Sequence, residues 1–373
     1  MYDVIIIGGG LAGLSSSIRL AQAGFSVLVI ERKTYPFHRV CGEYVSNEVR
    51  PYLENLGLNL EGLGIKTINR FLFSAPSGRS LQTTLDLGGF GISRYRLDFE
   101  LYLLAQKAGV VFLLGETVEN IAPPQKEPYW EVNTSSHASL KAKIALGAFG
   151  KNSRLDKVLD RDFTLQKSPY VGVKYHLKTD FPQDLIALHN FRDGYCGISA
   201  IEEDKYCLCY LTTRQNLRQY GDIKTMEQQV LWQNPHLKRI FNESAFLYPR
   251  PEVINEFSFA SKKLIENHLL MVGDAAGLIT PLCGNGMAMA LHGGKIAADL
   301  TADFLNHKMP FRQLETQYQK EWKRQFATRL WVGRQVQRLF GDVWLSELTL
   351  HFFSAFRPLL KILIKNTHGQ VIE

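Results

Sequence analysis

Two separated clusters of glycine and acid in this 373-residue chain have the spacing of a nucleotide cradle. In the first, Gly8-Gly9-Gly10-Leu11-Ala12-Gly13 follows a β-rich run, Asp3 to Ile7, and opens a helical stretch that Gly24 ends. A G-x-G-x-x-G sequence in that setting suits a pyrophosphate. Gly8 permits the tight turn, Gly10 lets the backbone approach the phosphates, and Gly13 lets helix and strand pack closely. The helix start at Leu11 and Ala12 offers unpaired N–H groups and the positive end of the helix dipole. Glu31 closes the next apolar run, Ser26 to Ile30. A carboxylate there accepts hydrogen bonds from ribose hydroxyls and repels a 2′-phosphate, which favours FAD or NAD over NADP. The competing reading is a glycine turn that only packs, with Glu31 solvated.

The second cluster is His268-Leu-Leu-Met-Val272-Gly273-Asp274-Ala-Ala-Gly277, a strand entering a small-residue turn, followed by Pro281-Leu-Cys-Gly284-Asn-Gly286 and a helix. Asp274, at a strand end, can hold polyol hydroxyls. Gly284 and Gly286 expose backbone N–H groups at a helix start, where negative charge on a reduced flavin is stabilised. NAD has no ribitol and needs no second site of this kind, so the pair points to FAD.

These residues need rigid elements beneath them. Strand, helix and strand over the first 30 residues read as the opening of a doubly wound sheet. Leu97 to Ala108 reads as a helix ended by Gly109, and Tyr170 to Leu211 as mostly strand. Met226 to Phe241 and Met287 to Leu305 read as helices, and everything after Phe311 as helical with Pro358 interrupting. The expected architecture is therefore α/β. A Rossmann-type FAD-binding domain (1–66, 94–160 and 250–310) joins a β-rich substrate domain (67–93 and 161–249) and a helical C-terminal segment (311–373). Apolar residues, at 45%, suffice for a large core.

Net charge is +7, and 311–373 alone carries 10 Lys/Arg against 5 Asp/Glu, interleaved with Trp322, Trp331, Trp344, Phe352, Phe353 and Phe356. Such a segment suits either a helical cover over the core or peripheral contact with a membrane surface or acidic partner. No run of 18 apolar residues occurs. Charge is the only feature that would favour nucleic acid, so none is expected as a partner. Five scattered cysteines argue against a disulfide framework and for a reducing, cytoplasmic setting. Cys207 and Cys209 would share one face of a strand, without the further ligands a metal site needs. His176, His189, His236 and His292 are scattered singles that read as structural or exposed.

Together these motifs resemble the FAD-dependent monooxygenases and reductases of the para-hydroxybenzoate hydroxylase fold. The match takes in Arg94-x-x-Leu97-Asp98 before the helix ending at Gly109, and it spans residues 3 to about 300. The resemblance implies cofactor contacts at Glu31, Arg32, Arg94, Val118, Gly273 and Asp274. Within that family, Val40-Cys41-Gly42-Glu43-Tyr44-Val45-Ser46 is most similar to the geranylgeranyl reductase branch, which has a Cys-Gly segment beside the flavin. Cys41 and Gly42 are thus implied to lie at the cofactor. Cys41 is the implied catalytic residue, placed to tune the ring or line the substrate cavity; as a small apolar residue it equally suits plain packing.

In Leu146-Gly147-Ala148-Phe149-Gly150, Phe149 stands where the family carries the acid of an Asp-Gly pair. In the family that motif is associated with both FAD and nicotinamide handling, so its loss implies either a weakened cofactor site or no direct use of NADPH, and the electron donor, NAD(P)H or a redox protein, stays open. The expected activity is oxidoreduction of a small hydrophobic substrate, by reduction of a carbon–carbon double bond or by oxygen transfer from O2. The alternatives are a non-catalytic flavin-binding protein and a flavin halogenase-like enzyme, although no W-x-W-x-I-P segment is present. Tyr195, Ile198, Tyr206 and Tyr210 are candidates for the wall of the substrate pocket or for plain core.

Overall fold

The computed structural model describes residues 1–125, 127–151, 153–165, 169–255, 259–277, 285–337 and 341–373. The expected Pro281 and Gly284 lie outside these residues.

Two sheets organise the chain. The first contains β1 (Tyr2–Ile7), β2 (Val27–Glu31), β6 (Val111–Leu114), β7 (Val118–Ala122), β8 (Trp130–Thr134), β9 (Leu140–Gly147), β16 (Ile265–Glu266) and β17 (Leu269–Met271). The second contains β3 (Tyr44–Ser46), β4 (Lys66–Ser74), β5 (Ser80–Gly91), β10 (Tyr170–Lys178), β11 (Leu185–Phe191), β12 (Gly194–Ala200), β13 (Tyr206–Thr213), β14 (Ala245–Phe246) and β15 (Glu252–Asn255). The helices are α1 (Leu11–Gln22), α2 (Arg50–Asn55), α3 (Arg94–Lys107), α4 (Arg154–Val158), α5 (Arg214–Tyr220), α6 (Ile223–Gln229), α7 (Pro235–Glu243), α8 (Gly286–Leu305), α9 (Phe311–Gln337), α10 (Val343–Ala355) and α11 (Arg357–Thr367).

In the first sheet β1 pairs in parallel with β2 on one side and β9 on the other, and β17 continues the parallel ladder beyond β9. Val4, Ile5, Ile6 and Ile7 are buried, as are Val27 to Ile30. A parallel sheet covered on both faces requires such uninterrupted apolar runs. α1 and α8 cover one face together, and small residues let them touch. A Cβ on Gly294 would lie 2.8 Å from the Ala12 carbonyl oxygen, and the Ser16 hydroxyl donates to the carbonyls of both Ala12 and Gly294.

The second sheet is mostly antiparallel, with β11 and β4 paired in parallel. One face carries Val171, Val173, Tyr175, Ile198, Leu208 and Tyr210 and is covered by Met226, Leu231, Leu237 and Ile240. The expected helix from Met226 to Phe241 is divided. α6 gives way to a 3-10 turn at Leu231–Gln233, and α7 begins at Pro235. Proline keeps the preceding residue out of the helical region. Asn234 is accordingly extended, and its side chain accepts from the His236 N–H to cap α7.

The opposite face meets the C-terminal helices. Leu350 and Leu360 pack on Phe73 and Leu81, while Val336 packs with Leu188, Tyr195 and Leu211. α9 also completes the first core: Leu314, Tyr318, Trp322 and Phe326 form its buried stripe, and the Tyr318 hydroxyl donates to the Met271 carbonyl. Pro358 marks the start of α11, where a proline in the first turn forfeits no helical hydrogen bond.

Candidate functional site

The first glycine turn stands at the carboxyl end of β1. Gly8 has φ +105°, and a Cβ there would lie 2.4 Å from the Ala148 carbonyl oxygen. A Cβ on Gly13 would lie 2.0 Å from the Gly8 carbonyl oxygen. Both positions are closed to any larger residue by the protein itself. Gly10 differs: the nearest atom to an added Cβ is the Arg94 Nη2 at 3.9 Å. It precedes α1, whose first turn has no side-chain cap, so space and unpaired donors coincide in front of the helix.

Around this turn the side chains are already ordered. Glu31 is buried; its Oε2 accepts from the Gly9 N–H (2.9 Å) and from Arg39, and its Oε1 from the Lys33 N–H. The Tyr35 hydroxyl donates to the Gly9 carbonyl (2.5 Å). The Glu116 N–H donates to the Glu31 carbonyl, which brings buried Val118 past the end of β2, while the Arg32 side chain is exposed. Arg94 begins α3 and grips Asp98 bidentately at 2.6 and 2.7 Å. Burial opposes its charge, but Asp98 outweighs burial and the guanidinium stays firmly protonated.

The second turn, in contact with the first, begins with Gly273. This residue has φ +64°, and a Cβ there would lie 2.9 Å from that of Ala12. Gly273, Asp274, Gly286, Met289 and Trp322 line a small concavity. Buried Arg161 holds the turn by donating to the Ala275 and Lys263 carbonyls. Lys262 donates to the Asp274 carbonyl; burial pulls its ammonium down to about 8, against the attraction of Asp274. The two glycine clusters thus form one continuous surface at the strand ends, with Gly286 opening α8. Phe149 flanks it: its Cα would lie 2.8 Å from a Cβ on Gly8. Uncapped donors, an open backbone at Gly10, a buried carboxylate at the end of β2 and a second acid beside a helix start form a donor and acceptor set that could hold a dinucleotide.

From here the chain runs to the second sheet through Arg39–Glu43. Arg39 bonds Asp98 and Glu31, and the Cys41 and Gly42 carbonyls accept from the Cys207 thiol (3.3 Å) and the Ser199 hydroxyl (3.4 Å). Glu43 is the anchor. It is fully buried with φ +56°, an uncommon conformation for a residue with a side chain. Its carboxylate accepts from the Lys174 ammonium, from His176 Nε2 (2.5 Å) and from the Arg94 N–H (2.8 Å). Burial would raise its pKa, but the Lys174 charge and the His176 bond outweigh it and hold the carboxyl at about 2. The Tyr248 hydroxyl donates to His176 Nδ1 (2.5 Å) and also touches His38, which burial pushes below the ordinary histidine value. Glu43, His176 and Cys207 could in principle hold a metal ion. Lys174 already supplies the positive charge on that carboxylate, and burial raises the Cys207 pKa, keeping it a thiol.

Sequence reasoning missed this cluster, taking His176 as a lone structural residue. Cys207 and Cys209 share one face of β13, as their spacing suggested, opposite His176 and Lys174 of β10. Beyond them the same face turns apolar, with Leu188, Tyr195 and Leu211 beside the partly exposed Gly197 and Cys209. Tyr195 alone of the four wall candidates lies there; Ile198, Tyr206 and Tyr210 are core under α5–α7, where Tyr210 and Tyr175 both donate to Glu227.

Comparison with known proteins agrees with this geometry. Residues 3–38 match the family model "FAD binding domain". The fold is that of the FAD-dependent oxidoreductases. The flavin-dependent brominase Bmp2 superposes with a TM-score of 0.79 at 18% identity, covering 98% of this chain and 93% of that one. In sequence, digeranylgeranylglycerophospholipid reductase 2 of Methanopyrus kandleri is 24% identical over 93% of this chain and 88% of its own length. Conditioned medium factor receptor 1 of Dictyostelium discoideum is 26% identical over 88% of this chain and 68% of its own.

Proposed function

We propose that this FAD-dependent oxidoreductase acts on a hydrophobic, polyisoprenoid-like substrate and reduces its carbon–carbon double bonds. The observation that carries the reading is the junction itself. One short segment, Arg39–Gly42, starts at the dinucleotide cradle and ends on a sheet face that turns from polar to apolar within two strands. Similarity to the archaeal lipid reductase, together with the Cys41-Gly42 pair, favours reduction over oxygen transfer.

FAD held here would, once reduced by its electron donor, supply hydride, or with O2 an oxygen-transfer step. The cradle residues would hold it: Gly8, Gly10, Leu11, Ala12 and Gly13 with the pyrophosphate, Glu31, Arg32 and Val118 with the adenosine, and Gly273, Asp274 and Gly286 with the ribitol and ring. Arg94, paired to Asp98, keeps positive charge at the cradle. Cys207 and Ser199 hold the Cys41 and Gly42 carbonyls, Lys174 holds that of Arg39, and Lys174 and His176 anchor the following Glu43. Leu188, Tyr195 and Leu211, packed with Val336, would form the water-excluding wall behind the partly exposed Gly197 and Cys209, where the alkene would lie. The electron donor would be NAD(P)H or a redox protein.

The purified protein should show an oxidised-flavin spectrum and release FAD on denaturation. After dithionite reduction without oxygen, a polyprenyl lipid should reoxidise the flavin and gain two hydrogens by mass. Reoxidation by O2 alone, with an oxygen atom incorporated into the substrate, would transfer the reading to the monooxygenase branch. A colourless protein that takes up no FAD would overturn both.

A further inference from the structure

Among the described residues, none covers the outer faces of α10 and α11. Trp344, Leu348 and Phe352 stand one helical turn apart on α10, and Phe356, Leu359 and Ile362 continue the row into α11. Trp344 is 70% exposed, Phe356 53% and Ile362 54%. Of the 16 exposed large hydrophobic side chains among the described residues, nine lie between Trp331 and Val371. An apolar patch this concentrated marks an interaction site.

Its charge defines the occupant. Between Leu348 and Ile372 there is no Asp or Glu, while Arg357, Lys361 and Lys365, all exposed, form a second row one helical turn apart on α11. Aromatic and aliphatic side chains bordered by cations are the composition of a helix lying in a lipid interface. No helix among the described residues is long and apolar enough to span a bilayer. The inner sides of the same two helices hold Leu350, Phe353, Leu360 and Ile364 against Phe71, Phe73 and Leu81 of the second sheet. The patch and the Phe71, Phe73 and Leu81 side chains of the second sheet therefore lie on opposite sides of one helical layer, and Phe71 also borders Leu188, Tyr195 and Leu211.

We propose that α10 and α11 form a docking surface for an anionic phospholipid bilayer, the membrane that holds the substrate. This rests on the hydrophobic-substrate reading above. The test uses the full FAD-loaded chain in co-sedimentation with vesicles of phosphatidylcholine alone and of phosphatidylcholine mixed with phosphatidylglycerol. Wild type should bind the mixed vesicles, and added salt should weaken binding. Neutralising Lys361 and Lys365 to Gln should weaken it about fivefold per charge. Trp344→Ser with Phe356→Ser should abolish it, with the flavin spectrum unchanged as proof of folding.

Equal binding by wild type and these variants overturns the proposal. So does a wild-type protein that ignores both vesicles, or one whose patch variants instead convert a dimer to a monomer in light scattering. A protein that keeps FAD and reduces a detergent-dispersed substrate but ignores vesicles sinks the docking surface alone. One that binds vesicles through the patch but takes up no FAD sinks the enzymatic reading alone.

Discussion

At the scale of single residues, the most consequential group is Glu43. It carries a full charge in the interior with a left-handed backbone, and three donors converge on it from α3 and β10. A buried pair is costly to break because the remaining partner is left charged and unsolvated. Glu43→Gln strands Lys174, so stability in urea should fall by about 3–5 kcal/mol. The double variant Glu43→Gln/Lys174→Met should recover much of that loss, since the ammonium left unpaired by the single change is then gone. The folded carboxyl titrates near 2, below its unfolded value of 4.5. Between those values the unfolded chain binds more protons, so this contribution is complete above pH 4.5 and disappears as pH falls towards 2. Urea midpoints measured down the acid limb should show this loss in wild type and not in the double variant. Equal acid sensitivity in both would assign it to other carboxylates. The cluster left a faint mark in the sequence: Lys174 and His176 alternate within the otherwise apolar run from Tyr170 to Leu177, which places two polar groups on one face of a strand. Their partner lies more than a hundred residues earlier, beyond the reach of any local pattern.

At the scale of elements, the β1–α1–β2 unit was legible because its signals are local: an apolar run, glycines at fixed spacing, and a carboxylate at the next strand's end. The division between α6 and α7 was missed because helical spacing outweighed Pro235 in the reading. The glycines of the first turn can now be separated by what each accommodates. Gly8 and Gly13 are required by the protein's own backbone, whereas Gly10 faces open space at φ −85°, where alanine is allowed. Gly10→Ala should therefore leave the far-ultraviolet circular dichroism and the apo-protein melting midpoint unchanged. It should weaken FAD binding at least tenfold, an amount of about 1.4 kcal/mol, because the new methyl occupies the approach to the pyrophosphate. Unaltered affinity would place the phosphates elsewhere.

At the scale of the whole molecule, two glycine clusters at opposite ends of the first sheet's sequence meet through Gly273 and Ala12, and the C-terminal end is tied to Glu48 and to the start of α8. Buried Arg329 and the Gly369 N–H both donate to Glu48, the Ile372 N–H donates to the Glu48 carbonyl, and Asn285 at the start of α8 donates to the Thr367 carbonyl. A ligand spanning both clusters can engage only the folded chain, since the unfolded chain does not hold them together. Its stabilisation follows mass action, about 2.7 kcal/mol when free FAD is a hundredfold above its dissociation constant. The melting midpoint of apo-protein should rise steadily with added FAD. Asp274→Ala should shrink that rise at a fixed FAD concentration, because Asp274 belongs to the distant cluster and lies beside Gly286 in the same concavity. If the FAD-dependent rise survives Asp274→Ala at full size, the second cluster is a structural turn, and the cofactor is held by the first alone.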